Sequence, residues 1–113
     1  MILDDARTLA DKLRSSEEYQ TYRETKARAY AKPSTAALLD EFNTLRMKVQ
    51  AASVAGTPDA ETMEKLQRLG ELLQFDEAAA AYLMAEYRLN ALISEIYKIL
   101  AKAVDLDLGA LEA

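Results

Sequence analysis

The sequence contains neither cysteine nor histidine. Without cysteine the chain cannot form disulfides, supply a thiolate nucleophile or ligate an iron–sulfur cluster, and without histidine it lacks imidazole acid–base chemistry. The usual zinc ligand sets need one or both of these residues, so they are excluded as well. These absences argue against an enzyme, and they predict that the chain uses no metal and no other cofactor.

Carboxylates remain as a route to catalysis, because two of them could hold a divalent metal. The acidic pairs at residues 4–5, 17–18 and 76–77 all fall in predicted first turns of helices. Negative charge in a first turn is favourable because it faces the positive end of the helix dipole. The pairs therefore need no catalytic explanation, and a carboxylate enzyme is the least favoured hypothesis.

Long apolar runs are also missing from the sequence. No apolar segment approaches the roughly 20 residues that a bilayer-spanning helix needs. The N-terminus lacks the basic stretch and apolar run that are typical of a signal peptide. We therefore expect a cytoplasmic protein that does not contact a membrane.

Turn-forming residues are scarce, with three glycines and two prolines among 113 residues, half of which are hydrophobic. Ala, Leu, Glu and Lys are abundant, and all four are good helix formers. This composition predicts an all-α fold, and the length predicts a single domain over residues 1–113.

Apolar spacing and turn signals divide the chain into three main helical regions. Pro33 disfavours helical geometry in the residue before it and can begin the second region. Gly56 and Pro58 mark the turn before the third region. We expect an antiparallel bundle with a long first and a long last helix. The regions are predicted at about 2–32, 34–55 and 59–104, followed by a tail at 105–113.

The first region changes the phase of its apolar stripe near two serines. Apolar residues occupy helical spacing from Ile2 to Leu13, after which the stripe rotates by roughly 130°. Ser15 followed by Glu18 fits a capping box, so the helix is predicted to kink or restart there, with Ser15 or Ser16 as its cap. The rotation would turn the next aromatic residues, Tyr19 and Tyr22, towards the core or an interface.

The last region contains a similar signal between Phe75 and Glu77, where Asp76 can cap a following helix. Beyond it, apolar residues from Tyr82 to Ala103 cover a face that is too wide for contact with a single neighbouring helix. We expect this face to contact two neighbours and to form the centre of the core.

Glu86 occupies a core-type position on that face, and Asn90 lies one turn further along. A buried carboxylate needs a partner, and Arg46 and Lys48 are the candidates for this role. A polar contact that fixes the register of the helices is favoured over a functional site. Tyr19, Tyr22, Tyr82, Glu86 and Asn90 are therefore candidate interface or buried polar residues.

The net charge of −5 argues against direct binding to nucleic acid, which needs a concentrated basic face. Positive charge is nevertheless concentrated at Arg23, Lys26, Arg28 and Lys32, whereas the C-terminal half is acidic. The favoured interpretation is a solvated face that complements the acidic half. The alternative is a basic docking face for a partner protein.

Three stretches carry a resemblance to a known family. "SSEEYQTY" at 15–22, "LLDEFNTL" at 38–45 and "AEYRLNALISEI" at 85–96 match its preferred patterns, and the resemblance extends over about residues 3 to 104. The chain resembles the YlbF/YmcA/YheA family of small all-helical bacterial regulators. These stretches are packing patterns rather than catalytic motifs.

The resemblance implies a self-associated helical bundle. It also implies a role in competence, sporulation or biofilm control, or in a complex that adjusts RNA processing by an endoribonuclease. Members of the YlbF branch can carry a cysteine-rich tail connected with iron–sulfur binding, whereas this tail is "DLDLGALEA". The chain is therefore more similar to the Cys-free YheA branch.

Two functions remain open at this point. The first is a non-enzymatic regulator or adaptor that acts through protein–protein contacts, within a homodimer or a higher even homo-oligomer and in a regulatory protein complex. The alternative is a structural or chaperone-like helical module that binds apolar or coiled-coil clients.

Overall fold

A computed structural model describes residues 1–105, and the secondary structure within that range is entirely helical. The all-α prediction is confirmed. The predicted tail, apart from Asp105, lies outside the described residues. The described residues contain five helices: α1 (Ile2–Arg14), α2 (Glu17–Tyr30), α3 (Pro33–Ala55), α4 (Ala60–Leu73) and α5 (Glu77–Ala103).

The predicted kink in the first region is a complete break between α1 and α2. Ser16 is the N-cap of α2, and its hydroxyl accepts a hydrogen bond from the Tyr19 N–H at 3.1 Å. The same hydroxyl donates to the Leu13 carbonyl at 2.6 Å, which satisfies the end of α1. The capping box suggested for Ser15 and Glu18 is therefore wrong by one residue.

Glycine and proline separate the second and third regions as expected. Pro33 is the first residue of α3. A backbone N–H at this position would have no hydrogen-bond partner within the helix, so proline, which lacks that N–H, is well tolerated there. Gly56 ends α3 with φ of 73°, a left-handed conformation that favours glycine. Asp59 then caps α4 by accepting a hydrogen bond from the Glu61 N–H at 3.0 Å.

Asp76 separates α4 from α5 and also joins the starts of two helices. One carboxylate oxygen accepts from the Ala79 N–H at 3.2 Å and thereby caps α5. The other accepts from the hydroxyl of the buried Thr35, near the start of α3, at 2.6 Å. Both hydrogen bonds favour the ionised carboxylate, and they lower the pKa of Asp76, with Thr35 as the larger cause.

The helices pack mainly as two pairs, α2 with α5 and α3 with α4. The start of α2 lies beside Ala85 and Arg88, and its end lies beside Asp76, so α2 and α5 are antiparallel. The core forms where the pairs meet and contains Ala29, Leu39, Leu73, Ala79 and Tyr82.

The molecule is flat rather than spherical, with extents of 46 × 36 × 16 Å. Its radius of gyration is 16.8 Å, whereas a compact domain of this length is expected near about 13 Å. The chain exposes 8635 Å², whereas a compact monomer of its mass is expected to expose about 6,200 Å². Many large apolar side chains within residues 1–105 are also exposed, among them Leu3, Phe75 and Ile99.

The sequence assigned more of the apolar face of α5 to the core than the structure buries. Tyr82, Ala85, Leu89 and the small Ala101 are buried, but Ile99 and Leu100 are more than half exposed. The reason is that α2 covers only the first part of α5. Among residues 1–105, no helix is both long enough and apolar enough to cross a bilayer.

Candidate interaction site

Tyrosine rings fill the junction between α2 and α5. The Tyr22 and Tyr82 ring centroids are 5.7 Å apart, and Tyr30 meets Tyr82 edge-on at 5.8 Å. Tyr82 is 3 % exposed, whereas Tyr19 and Tyr22 are half-buried. Tyr19 lies 6.5 Å from Tyr22 at the outer edge of the group. The tyrosines therefore form a continuous aromatic cluster, in which exposure to solvent increases from Tyr82 in the core to Tyr19 at the surface.

Glu86 links this aromatic group to α3. The Arg46 guanidinium donates to one oxygen of Glu86 at 2.7 Å, and the Tyr82 hydroxyl donates to the other at 3.3 Å. Arg46 also donates to the side chain of Asn43 and lies over the Phe42 ring, 4.9 Å from its centroid. The structure thus pairs Glu86 with Arg46 and not with Lys48.

Burial and the nearby Glu86 charge raise the pKa of Tyr82, with burial as the larger cause. Its hydroxyl therefore remains protonated at neutral pH and acts as a hydrogen-bond donor. A charged pair with such a donor suits the alignment of two helices better than acid–base chemistry, which needs a group that titrates near neutral pH.

Asn90 does not join this network. It lies one turn after Glu86, but its side chain faces solvent, so its assignment to the buried polar set is wrong. The start of α2 at Glu17 lies beside Ala85 and Arg88, so Asn90 lies near the end of the contact between α2 and α5. Asn90 remains a candidate interface residue.

The four predicted basic residues are exposed and divide into two groups. Arg23 and Lys26 lie on a surface shared with the tyrosines, where the Lys26 ammonium is 5.7 Å from the Tyr22 ring centroid. Arg28 and Lys32 instead lie beside Asp76 and Glu77 at the start of α5. The second pair can complement acidic groups of its own chain, whereas the first faces outwards.

An apolar cleft of about 870 Å³ opens between α4 and α5. The cleft exists because α4 packs on α3 and makes few contacts with α5. Phe42 from α3 lies on its floor, and Gln67, Glu71 and Gln74 supply polar groups along α4. The apolar lining consists of Phe42, Leu66, Ala80, Leu83, Met84 and Tyr87, together with Gly70.

Sequence reasoning did not find this cleft. Its walls carry ordinary helical pairs, such as Leu83 and Tyr87 four residues apart, which look like any core stripe. The one unusual signal is Gly70 in the last turn of α4, where a Cβ would lie 3.4 Å from the Phe42 ring. A glycine inside a helix costs stability and can mark a close approach.

The arrangement offers several surfaces on which another protein could bind. Within residues 1–105, no three acidic side chains lie close enough together to hold a metal ion. The distinctive features are an apolar cleft, exposed apolar helix faces and an outward-facing basic pair. These features are typical of a helical protein that associates with other proteins.

The comparison with known families agrees with a helical protein that associates with other proteins. The chain belongs to the family described as "Control of competence regulator ComK, YlbF/YmcA", whose sequence profile matches residues 2–105. The resemblance identified from the three sequence stretches is therefore confirmed at the level of the family.

Individual relatives extend over nearly the same length. The UPF0342 protein STH1710 of Symbiobacterium thermophilum is 37% identical over 106 residues, which cover 93% of this chain and 95% of the relative. The UPF0342 protein NT01CX_2274 of Clostridium novyi is 32% identical over 107 residues, which cover 94% of each chain. Both chains are similar to this one from end to end.

A solved structure shares the fold. RicA of Bacillus subtilis, from its crystal structure in complex with RicF, superimposes with a TM-score of 0.62. The match covers 92% of this chain and 93% of RicA, at 19% sequence identity. At that identity the likeness establishes a common helical fold. It also shows that this fold occurs in a protein that forms a complex with another protein.

Proposed function

We propose that this chain is a non-enzymatic cytoplasmic adaptor that acts through protein–protein contacts in competence, sporulation or biofilm control, or in RNA-processing control. It works as one helical domain, belongs to the YheA-like branch and associates with itself as a homodimer or a higher even homo-oligomer. The family assignment supports the regulatory role. The observation that carries the proposal is the open apolar cleft between α4 and α5.

The occupant of this cleft is an amphipathic helix of the partner protein. The cleft walls are helices, so an apolar stripe at helical spacing can lie between Leu66 on one side and Tyr87 on the other. Glu71 lines the cleft, and its charge suits a partner helix with a basic residue beside its apolar stripe.

Affinity capture from the native host tests the proposal. Wild-type protein is compared with Met84→Glu, which places a charge in the cleft, and with Met47→Glu, which places one on α3 outside it. Both methionines are exposed in the single chain, so neither substitution should unfold it. We expect one partner to be captured by wild type and Met47→Glu and lost with Met84→Glu.

The captured protein also distinguishes the possible processes. An endoribonuclease or one of its accessory proteins would support the role in RNA processing. Recovery of this chain alone, under conditions that preserve complexes, would contradict the adaptor function.

A chaperone-like module is the second candidate, and Met84 in the cleft is the observation that favours it. Methionine side chains adapt to many shapes, and they occur at binding surfaces with several clients. The chaperone function predicts that the chain suppresses the aggregation of an unrelated unfolding protein at comparable concentration. The adaptor function predicts no suppression and a defined stoichiometry with one partner.

A further inference from the structure

We infer that α1 and the distal half of α5, defined as residues 90–103, form the surface through which two copies of this chain associate about a two-fold axis. The inference rests on the self-association proposed above and locates it. It concerns a surface separate from the cleft between α4 and α5.

The first part of this surface is α1. Its apolar residues Ile2, Ala6, Leu9 and Leu13 share one face, yet none of the 13 residues of α1 is buried. Leu3 is 67% exposed, and only Leu13, next to α2, is half-buried. A helix this short is marginal in water without tertiary packing, so α1 needs a surface on which to bury its apolar face.

The second part is the distal half of α5. The start of α2 lies beside Ala85 and Arg88, and α5 continues for four more turns beyond that point. Leu92 and Ile96 are half-buried, whereas Ile99 is 68% exposed. Val104, just past the helix, is exposed too. An apolar face therefore continues past the last turn that α2 covers.

The two parts lie at the same end of the molecule. Since α2 is antiparallel to α5, the helix that precedes α2 lies at the end towards which α5 continues. More than half of the large apolar side chains exposed by residues 1–105 belong to Met1, α1, the distal half of α5 or Val104. The exposed apolar surface is thus concentrated at this end.

The area of this surface suits a second copy of the chain. Helix α1 has 13 residues and distal α5 has 14, and a standard interface involves about 20–30 residues on each side. A stable interface removes about 800 Å² from each partner, and obligate homodimers remove more. Pairing α1 and distal α5 with the same helices of a second copy would form a four-helix bundle with an apolar interior.

The charges also favour a second copy over a membrane surface. Helix α1 carries as many acidic as basic residues, whereas helices that lie on membranes are rich in Lys and Arg. Asp4 and Asp5 lie on α1, and Lys98 and Lys102 lie on distal α5. Helix α1 has no net charge, and distal α5 carries one acidic and two basic residues, so in the inferred dimer the two helices can approach without strong like-charge repulsion.

Sedimentation velocity of the full chain, from about 1 to about 100 µM, measures the association. Ile99→Glu and Leu3→Glu each place a charge on the inferred surface at a residue that is exposed in the single chain. We expect each substitution to raise the dimer dissociation constant by about 100-fold or more. The matched control, Met47→Glu on α3, should leave the constant unchanged, and circular dichroism should show unaltered helix content for all three variants.

The outcomes separate this inference from the proposals on which it rests. A wild-type chain that remains monomeric would overturn self-association and this surface together. A dimer that is unaffected by Ile99→Glu and Leu3→Glu would overturn the location alone. Neither outcome affects the capture of a partner by the cleft, which is measured with Met84→Glu.

Cross-linking gives a second measurement that does not depend on substitutions. Copies labelled with nitrogen-15 are mixed with unlabelled copies and treated with an amine-reactive cross-linker. We expect mixed-isotope links between Lys12 on α1 and Lys98 or Lys102 on distal α5. Mixed-isotope links confined to Lys48 and Lys65 would place the interface on α3 and α4 and overturn the inference.

Discussion

At the scale of single residues, Glu86 is the polar group on which the packing of three helices depends most. Its side chain is 18% exposed and accepts hydrogen bonds from Arg46 of α3 and from Tyr82 of α5, which packs on α2. Truncation would leave the Tyr82 hydroxyl and part of the Arg46 guanidinium without this acceptor. An unsatisfied polar group costs more free energy than the hydrogen bond itself contributes.

We predict that Glu86→Ala lowers the free energy of unfolding by about 1–3 kcal/mol. Glu86→Gln should cost less because its amide oxygen can still accept from Arg46. Glu95→Ala, which removes an exposed carboxylate 3.5 Å from Lys98, is the control and should change stability by less than about 0.5 kcal/mol. Urea unfolding measures all three, and equal effects of Glu86→Ala and Glu95→Ala would contradict the role of Glu86.

Asp76 is the second residue whose chemistry connects separate elements, since it caps α5 and binds Thr35 of α3. Its pKa is lowered in the folded chain, mainly by the Thr35 hydroxyl. The unfolded chain therefore binds a proton at this carboxylate at a higher pH than the folded chain does. The stabilisation is present above the unfolded pKa and is lost as the pH falls through the folded value.

We predict that wild-type Tm falls as the pH is lowered below about 4, near the unfolded pKa of an aspartate. Asp76→Asn should make this fall shallower, because it removes one of the groups whose pKa is lowered. Asp11→Asn, on the exposed α1, should leave the acid dependence as in wild type. Thermal unfolding at several pH values gives the comparison, and identical curves for wild type and Asp76→Asn would refute it.

At the scale of elements, the two glycines within residues 1–105 have opposite roles. Gly56 holds a left-handed φ at the end of α3 with open space around it, so its function is conformational. Gly70 is an ordinary helical residue of α4 that faces Phe42 at van der Waals distance. The first glycine ends a helix, and the second weakens one.

We predict that Gly70→Ala raises the free energy of unfolding by about 0.5–1 kcal/mol, because alanine loses less backbone entropy in a helix. The added methyl group would lie 3.4 Å from the Phe42 ring, which is an ordinary contact. Gly56→Ala should lower stability by about 1 kcal/mol, because a side chain disfavours positive φ. Changes of the same sign in thermal unfolding would contradict this assignment.

At the scale of the whole molecule, the flat shape leaves many apolar side chains of the single chain exposed to solvent. Extents of 46 × 36 × 16 Å give a thin layer of helices in which few residues can be distant from solvent. No residue of α1 is buried, so this helix contributes nothing to the core. Stability of the native state should therefore depend on the concentration of the chain.

We predict that Tm rises by about 5 °C between about 1 and about 100 µM, because dimer formation stabilises the folded state by mass action. The increase should disappear in Ile99→Glu, whose Tm should be independent of concentration. Differential scanning fluorimetry at several concentrations measures both. A concentration-independent wild-type Tm would show that the folded chain is stable without a second copy.

Local patterns in the sequence determine where the helices of this protein begin and end. Ser16, Pro33, Gly56 and Asp59 act through atoms within a few residues, and so does the hydrogen bond by which Asp76 caps α5, so these effects can be predicted from the sequence. The bond between Asp76 and Thr35 depends on the fold. The sequence left Ser15 and Ser16 as alternative caps, because adjacent serines offer the same hydroxyl and only the backbone conformation selects Ser16. The acceptor role of Glu86 was also predictable, because a carboxylate on an apolar stripe requires a partner.

Only the tertiary structure decided which apolar faces are covered. The stripe of α1 and the distal stripe of α5 are indistinguishable in sequence from the stripe around Tyr82, yet the fold fully buries large side chains only in the last. The cleft between α4 and α5 arises because α4 packs on α3, and this choice depends on residues far apart in the chain. Amphipathic periodicity specifies that a face must be covered, but the covering helix, or the second copy, is selected by the arrangement of the whole molecule.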